Sequence, residues 1–151
     1  MDRLKIKGGA KLSGTVNVSC SKNAYLPILA ATLLSEEPIT LKELPLLRDI
    51  NTMKRLLANL GVKIDANNKD AIFSANEITS LEAKYDLVKT MRASILVLGP
   101  LLTRFKRAVV SLPGGCAIGV RPIDIHLKYL EKMGAKINIC SGHVEASCER
   151  L

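Results

Sequence analysis

An α/β (α+β) fold built from repeated units is what three features of the 151-residue chain predict. The first is an internal repeat. Leu33-Leu34 is matched by Leu101-Leu102 and Leu44-Pro45 by Leu112-Pro113 at an offset of 68, and Leu60-Gly61-Val62-Lys63-Ile64 is matched by Met133-Gly134-Ala135-Lys136-Ile137 at 73. The second is patterning: helical periodicity and period-2 alternation follow one another along the chain, an order that packs helices on sheets. The third is composition. With 48% hydrophobic and 24% charged residues, the chain has the balance of a globular domain with a core, which excludes a disordered tail, a collagen-like repeat and a coiled coil.

The elements follow in order. Leu4 and Ile6, a Gly8-Gly9 turn, Leu12, and then Val16 and Val18 alternate with polar residues, which predicts an opening hairpin over about 1–20. Ser21-Lys22-Asn23 caps the apolar stretch that runs to Leu34, so Lys22 and Asn23 fall at a helix N-terminus, with Pro27 tolerated only near the first turn. Asp49 caps a second helix in which Ile50, Met53, Leu56, Leu57 and Leu60 share one face, and Gly61 supplies the left-handed stop. Val62 to Ile64 and Ala71 to Ala75 form the next strand pair. Repeat one therefore spans about 21–84 and repeat two about 85–151, each reading helix, strand, helix, strand, strand. In repeat two, Arg121-Pro122 opens a helix whose buried face is Ile123, Leu127, Leu130 and Met133, and Ala135 to Ile139 turns at Ser141-Gly142 into His143 to Ala146. Stacked repeats commonly need about three or more copies for independent stability, so two copies predict a chain that depends on further sequence or on a partner.

Several classes are excluded. The longest apolar stretches, Ala24 to Leu34 and Ala93 to Leu102, are near half of the ~20 residues a membrane span needs, and each holds a proline. Asp2 and the turn-rich start are unlike a secretory signal, which makes the cytoplasm the expected compartment. Cys20, Cys116, Cys140 and Cys148 lack the paired spacing of a zinc site and read as free thiols. The net charge of +8 favours an anionic partner, but three Tyr, two Phe and no Trp leave few stacking platforms for nucleic acid, so small phosphorylated ligands compete well with nucleic acid, which ranks last among the readings.

The change of offset from 68 to 73 places five extra residues between Pro113 and Met133, in the segment from Gly114 to Pro122. Extra loop length in one copy of a repeat marks function. Gly114, Gly115 and Gly119 permit backbone conformations other residues avoid, and Arg121 lies five residues beyond Cys116, where a cation favours the thiolate. Cys116 is thus either a reactive thiol or a small apolar filler of a Gly-rich turn. Asp124 either complements the helix dipole or meets a ligand, and both readings stand. Arg92, in the polar start of an apolar helix, falls beside Lys89, itself either functional or a solvated helix start. His126 and His143 receive no role, and Lys54-Arg55, Arg104, Lys106-Arg107 and Lys128 read mostly as solvated exterior.

Ser21-Lys22-Asn23-Ala24, the run from Tyr85 to Ser94, and Ser111-Leu112-Pro113-Gly114-Gly115-Cys116 followed by Ile118-Gly119 and Arg121-Pro122 together resemble the bacterial enolpyruvyl transferases that act on UDP-N-acetylglucosamine. The resemblance covers essentially the whole chain and roughly the first third of the family. It implies an inside-out α/β barrel of βαβαββ repeats, of which about two are present. The implied reaction moves an enolpyruvyl group from phosphoenolpyruvate to the sugar 3′-hydroxyl with release of phosphate, at the first committed step of peptidoglycan synthesis, with no cofactor and no metal. By the same resemblance Lys22 and Asn23 bind phosphoenolpyruvate, while Arg92, Arg121, Pro122, Ile123, Asp124 and Ile125 bind UDP-N-acetylglucosamine. Cys116 is the implied proton donor and fosfomycin target on a closing loop. A noncatalytic phosphate or nucleotide-sugar binding module is the alternative, and a complementing C-terminal part is the expected partner. Cys20 departs from the family, which commonly has Gly there, and a side chain at that place is expected to crowd the approach to Lys22 and Asn23.

Overall fold

The computed structural model describes residues 3–112 and 123–151. Leu26, Leu29 and Ala30 bury one side of helix α1 (Lys22–Ala31), and a 3₁₀ turn (Thr32–Leu34) continues it. Pro27 lies in the interior of α1 rather than near its first turn. Its ring removes the N–H that would bond the Asn23 carbonyl, and the helix runs on through it. Strand β1 (Ile39–Leu41) leads to helix α2 (Arg48–Leu60). There Ile50, Met53, Leu56, Leu57 and Leu60 are all at most 1% exposed, as their spacing predicts. The cap position of α2 belongs to Leu47, and Asp49 sits inside the first turn. Gly61, at φ 113°, ends the helix in the left-handed region. Strands β2 (Lys63–Asn67) and β3 (Asp70–Ser74) follow, and the first sheet has the order β1-β3-β2, antiparallel throughout.

The second half comprises β4 (Glu82–Ala83), α3 (Tyr85–Val88), a 3₁₀ segment (Arg92–Val97) that passes into α4 (Leu98–Phe105), β5 (Arg107–Ser111), α5 (Asp124–Lys132), β6 (Lys136–Cys140) and β7 (His143–Ser147). Its sheet has the order β4-β5-β7-β6, with β4 parallel to β5 and the other pairs antiparallel. The order β5-β7-β6 reproduces β1-β3-β2, and the register does too: Lys63 faces Ser74 as Lys136 faces Ser147. Leu29, Leu33, Leu57 and Phe73 from one half and Leu98, Leu101, Val110 and Val144 from the other belong to a single buried cluster. No helix among the described residues is long and apolar enough to cross a membrane.

Besides Pro27 and the cap of α2, three further expectations are corrected. Residues 3–20 contain no strand, and Leu4, Ile6, Leu12, Val16 and Val18 are 89–96% exposed. A lone hairpin with no packed face is marginal in water, and neither sheet offers these residues a ladder among those described. Met133, placed by periodicity on the buried face, follows the last residue of α5 and is 58% exposed, because the helix ends at Lys132. Arg104, expected on the solvated exterior, has a side chain only 13% exposed. Its Nη1 donates to the Leu33 and Ala75 carbonyls and its Nη2 to Glu36.

Candidate functional site

Residues far apart in sequence converge on a cavity of about 840 Å³. Its walls are the start of α1 (Lys22, Asn23, Leu26), Asp49 of α2, the stretch from Thr90 to Ala93 with Ile95 and Leu96, and the face of α5 from Ile123 to His126 with Tyr129, Leu130 and Met133. Lys22 is the first residue of α1. Ser21 makes no side-chain capping bond there and the first turn holds no acid, so the positive end of the helix is left without a carboxylate of its own. A carboxylate comes instead from the neighbouring helix: Lys22 Nζ donates to Asp49 Oδ2 at 2.8 Å.

Arg92 opens the 3₁₀ segment. In that segment Ser94 is fully buried, and its hydroxyl donates to the Met91 carbonyl of the same turn at 2.7 Å. Lys89 turns elsewhere: its ammonium donates to Asp86 Oδ1 at 2.7 Å and lies 5.7 Å from the centre of the Tyr85 ring. The hydrogen bond and charge of this pair hold the Asp86 carboxyl below, and the Lys89 ammonium above, their usual ranges. Lys89 does not line the cavity. Cys20 is half-buried, its sulfur 3.9 Å from Glu43 Oε2, and it too stands apart from the cavity lining. The Tyr25 hydroxyl donates to the Lys42 carbonyl, and its contact with Cys20, followed by burial, pushes the phenol above its ordinary value.

Helix α5 carries two apolar faces. Leu127 and Leu130 go into the core, while Ile125, Tyr129 and Met133, spaced four apart, remain exposed and wall the cavity. That second stripe is the signal in the sequence that a core-only reading of α5 passes over. Asp124, the first helical residue, lies in the first turn, where it complements the dipole, and it also lines the cavity. His126 was given no role from the sequence, yet it lines the same wall. Its Nε2 is buried with no hydrogen-bond partner among the described residues, and burial pushes the imidazole below its ordinary value.

Of the residues singled out for binding, Lys22, Asn23, Arg92, Ile123, Asp124 and Ile125 are thus brought to one cavity. Cys116, Arg121 and Pro122 lie outside the described residues. Among the described residues the cavity offers two cations, two carboxylates and an apolar wall ending in an aromatic ring. That is a chemistry suited to a ligand with anionic groups at one end and a flat body at the other.

Comparison with known proteins agrees. Residues 6–150 match the family model described as EPSP synthase (3-phosphoshikimate 1-carboxyvinyltransferase). The chain belongs to this family of enolpyruvyl transferases. It is 55% identical over 151 residues to the UDP-N-acetylglucosamine 1-carboxyvinyltransferase of Geotalea uraniireducens (strain Rf4), covering 100% of this chain and 36% of that protein. It is 52% identical over 147 residues to the enzyme of the same name from Yersinia pestis (strain Pestoides F), covering 97% and 35%. Among solved structures, the enolpyruvyl transferase NikO from Streptomyces tendae aligns with a TM-score of 0.78 at 21% identity, over 95% of this chain and 32% of that one. EPSP synthase from Acinetobacter baumannii aligns at 0.63 and 18%, over 89% and 32%. The fold is therefore that of the enolpyruvyl transferases, and the chain spans about a third of the length of the relatives it matches.

Proposed function

We propose that this chain supplies one part of a cytoplasmic UDP-N-acetylglucosamine 1-carboxyvinyltransferase that serves peptidoglycan synthesis. Lys22 and Asn23 receive phosphoenolpyruvate, and Arg92 with Arg121, Pro122, Ile123, Asp124 and Ile125 receives UDP-N-acetylglucosamine. The single observation behind this reading is the convergence of Lys22 and Asn23 with Arg92 and the Ile123-Asp124-Ile125 run on one cavity. The ammonium of Lys22 is a compact charge for phosphate or carboxylate oxygens. Arg92 and Arg121 bring planar forks for a diphosphate, and Ile125 and Tyr129 give an apolar surface for a base or sugar ring.

The chemistry divides into addition and elimination. As the sugar 3′-oxygen bonds to C2 of phosphoenolpyruvate, its hydroxyl proton passes to a base and a proton is delivered to C3, so that the C2–C3 double bond becomes single. Loss of that proton equivalent from C3 and departure of phosphate then restore the double bond. Cys116 is assigned the proton delivery. A base and further phosphate ligands are to come from a complementing C-terminal part.

Calorimetric titration of the 151-residue chain tests the assignment. Phosphoenolpyruvate and UDP-N-acetylglucosamine should each bind, Lys22→Ala should weaken the first and Arg92→Ala the second by about tenfold or more, the scale of one charged hydrogen bond. Affinities untouched by either change would refute the assignment. Phosphate release should be negligible with this chain alone, and robust turnover would overturn the view that its cleft is incomplete.

A further inference from the structure

We propose that Asp49 is a positioning residue: it fixes the direction of the Lys22 ammonium before a ligand arrives, so that an incoming phosphate meets a charge already aimed into the cavity. The proposal deepens the reading of Lys22 as an anion-binding residue and rests on it. Lysine is a point charge on a flexible four-carbon stem, and an unheld ammonium at a cavity mouth spreads over many rotamers. Aspartate has only two side-chain torsions, and the backbone of Asp49 is held by Ile50 and Met53, both at most 1% exposed. Leu26 and Leu29 anchor the backbone of Lys22 in the same way. The 2.8 Å contact therefore joins the first turns of two packed helices, α1 and α2, and ties the mobile stem to a fixed point.

The geometry leaves the ammonium available. Of its three protons one is engaged by Asp49 Oδ2, and the Lys22 and Asp49 side chains keep 44% and 32% of their exposure. Both residues line the cavity, so the remaining protons are accessible from it. A carboxylate beside an anion site also repels the anion, and the two effects of Asp49 oppose each other. An anion that takes up the remaining protons of the ammonium meets the positive charge first, and the exposure of the pair lets water screen the repulsion; on this proposal the aiming effect prevails.

The test uses the 151-residue chain, with Nζ and Cε of Lys22 followed by NMR, assigned through Lys22→Met, and inorganic phosphate as the probe. In the free chain Lys22 should be ordered, and Asp49→Ala should raise its side-chain mobility to that of an exposed lysine while the backbone spectrum stays unchanged. Asp49→Ala should weaken phosphate binding about tenfold. Asp49→Asn, which keeps an acceptor of the same shape, should restore most of the order and weaken binding about threefold. In a Lys22→Met background Asp49→Ala should cause no further loss. Equal order of Lys22 with and without the carboxylate, or phosphate binding unchanged or tighter in Asp49→Ala, overturns the proposal. A wild-type chain whose Lys22 does not respond to phosphate refutes the anion reading instead, and the order of Lys22 in the free chain still decides the part played by Asp49.

Discussion

Replacing Arg104 by alanine removes a guanidinium that joins the two halves of the repeat. Glu36 and Arg104 stand at the repeat offset of 68, so equivalent places in the two copies face each other. Nη1 donates to the Leu33 carbonyl at 3.1 Å and the Ala75 carbonyl at 2.6 Å, Nη2 donates to Glu36 Oε1 at 3.1 Å, and the group lies 4.9 Å from the centre of the Phe105 ring. The two carbonyls belong to residues at 0% and 1% exposure. A hydrogen bond to a charged group contributes about 1.5–3 kcal/mol, and a buried acceptor left alone costs about 1–3 kcal/mol. Water reaching the site from the Glu36 side recovers part of this, which gives about 3–5 kcal/mol for Arg104→Ala. The ion pair itself is minor: Glu36 is 79% exposed, and such pairs contribute about 0–1 kcal/mol. Glu36→Gln should therefore cost less than about 1 kcal/mol. Urea unfolding followed by circular dichroism measures both, and in a chain of this length the arginine variant should melt about 10 °C lower. Arg104→Ala within about 1 kcal/mol of wild type, or Glu36→Gln as damaging as Arg104→Ala, would refute the reasoning.

Gly61→Ala should destabilise by about 3 kcal/mol or more, because φ is 113° and an added Cβ would come within 2.6 Å of the Thr79 nitrogen and 2.7 Å of the Glu77 carbonyl oxygen; an unchanged urea midpoint would contradict this. His126 ties stability to pH. Its folded value lies below the ordinary 6.5, so between the two the unfolded chain binds more protons and stability falls as pH drops from about 7 through that window, levelling out beneath the folded value. Unfolding free energies measured from pH 7.5 to 5 should show this slope in wild type and a shallower one in His126→Gln. Cys116 should react with fosfomycin or iodoacetamide faster than a free cysteine if Arg121, five residues further along the sequence, favours its thiolate; mass-spectrometric labelling rates no faster than those of free cysteine would count against it.

The legible parts of the fold were those set by local rules. Five apolar residues at helical spacing followed by Gly61 fix α2 because burial of one face and a left-handed stop are both written within fourteen residues. Both later hairpins follow from short alternation around a turn, and Lys63–Asn67 with Asp70–Ser74 recurs as Lys136–Cys140 with His143–Ser147. Alternation misled over residues 3–20, since period 2 states which side chains share a face and says nothing of a ladder partner. In the candidate site, Lys22, Asn23, Arg92, Ile123, Asp124 and Ile125 were recognisable through motifs. Asp49 and His126 were not: a first-turn aspartate reads as a capping residue, and a lone histidine on a helix reads as surface.

What the sequence determined by itself is the local and the periodic: which stretches form helices, which faces are apolar, and that one pattern recurs, because these depend on neighbours a few residues apart. What only the tertiary structure decided is which distant groups meet. Lys22 and Asp49 pair, Arg104 reaches Leu33, Glu36 and Ala75, and the exposed stripe of α5 faces the start of α1 across a cavity, because α1, α2, α4 and α5 pack around one core. Contacts of that kind depend on how helices are oriented in space, and spacing along a chain does not encode the direction in which a side chain meets another element.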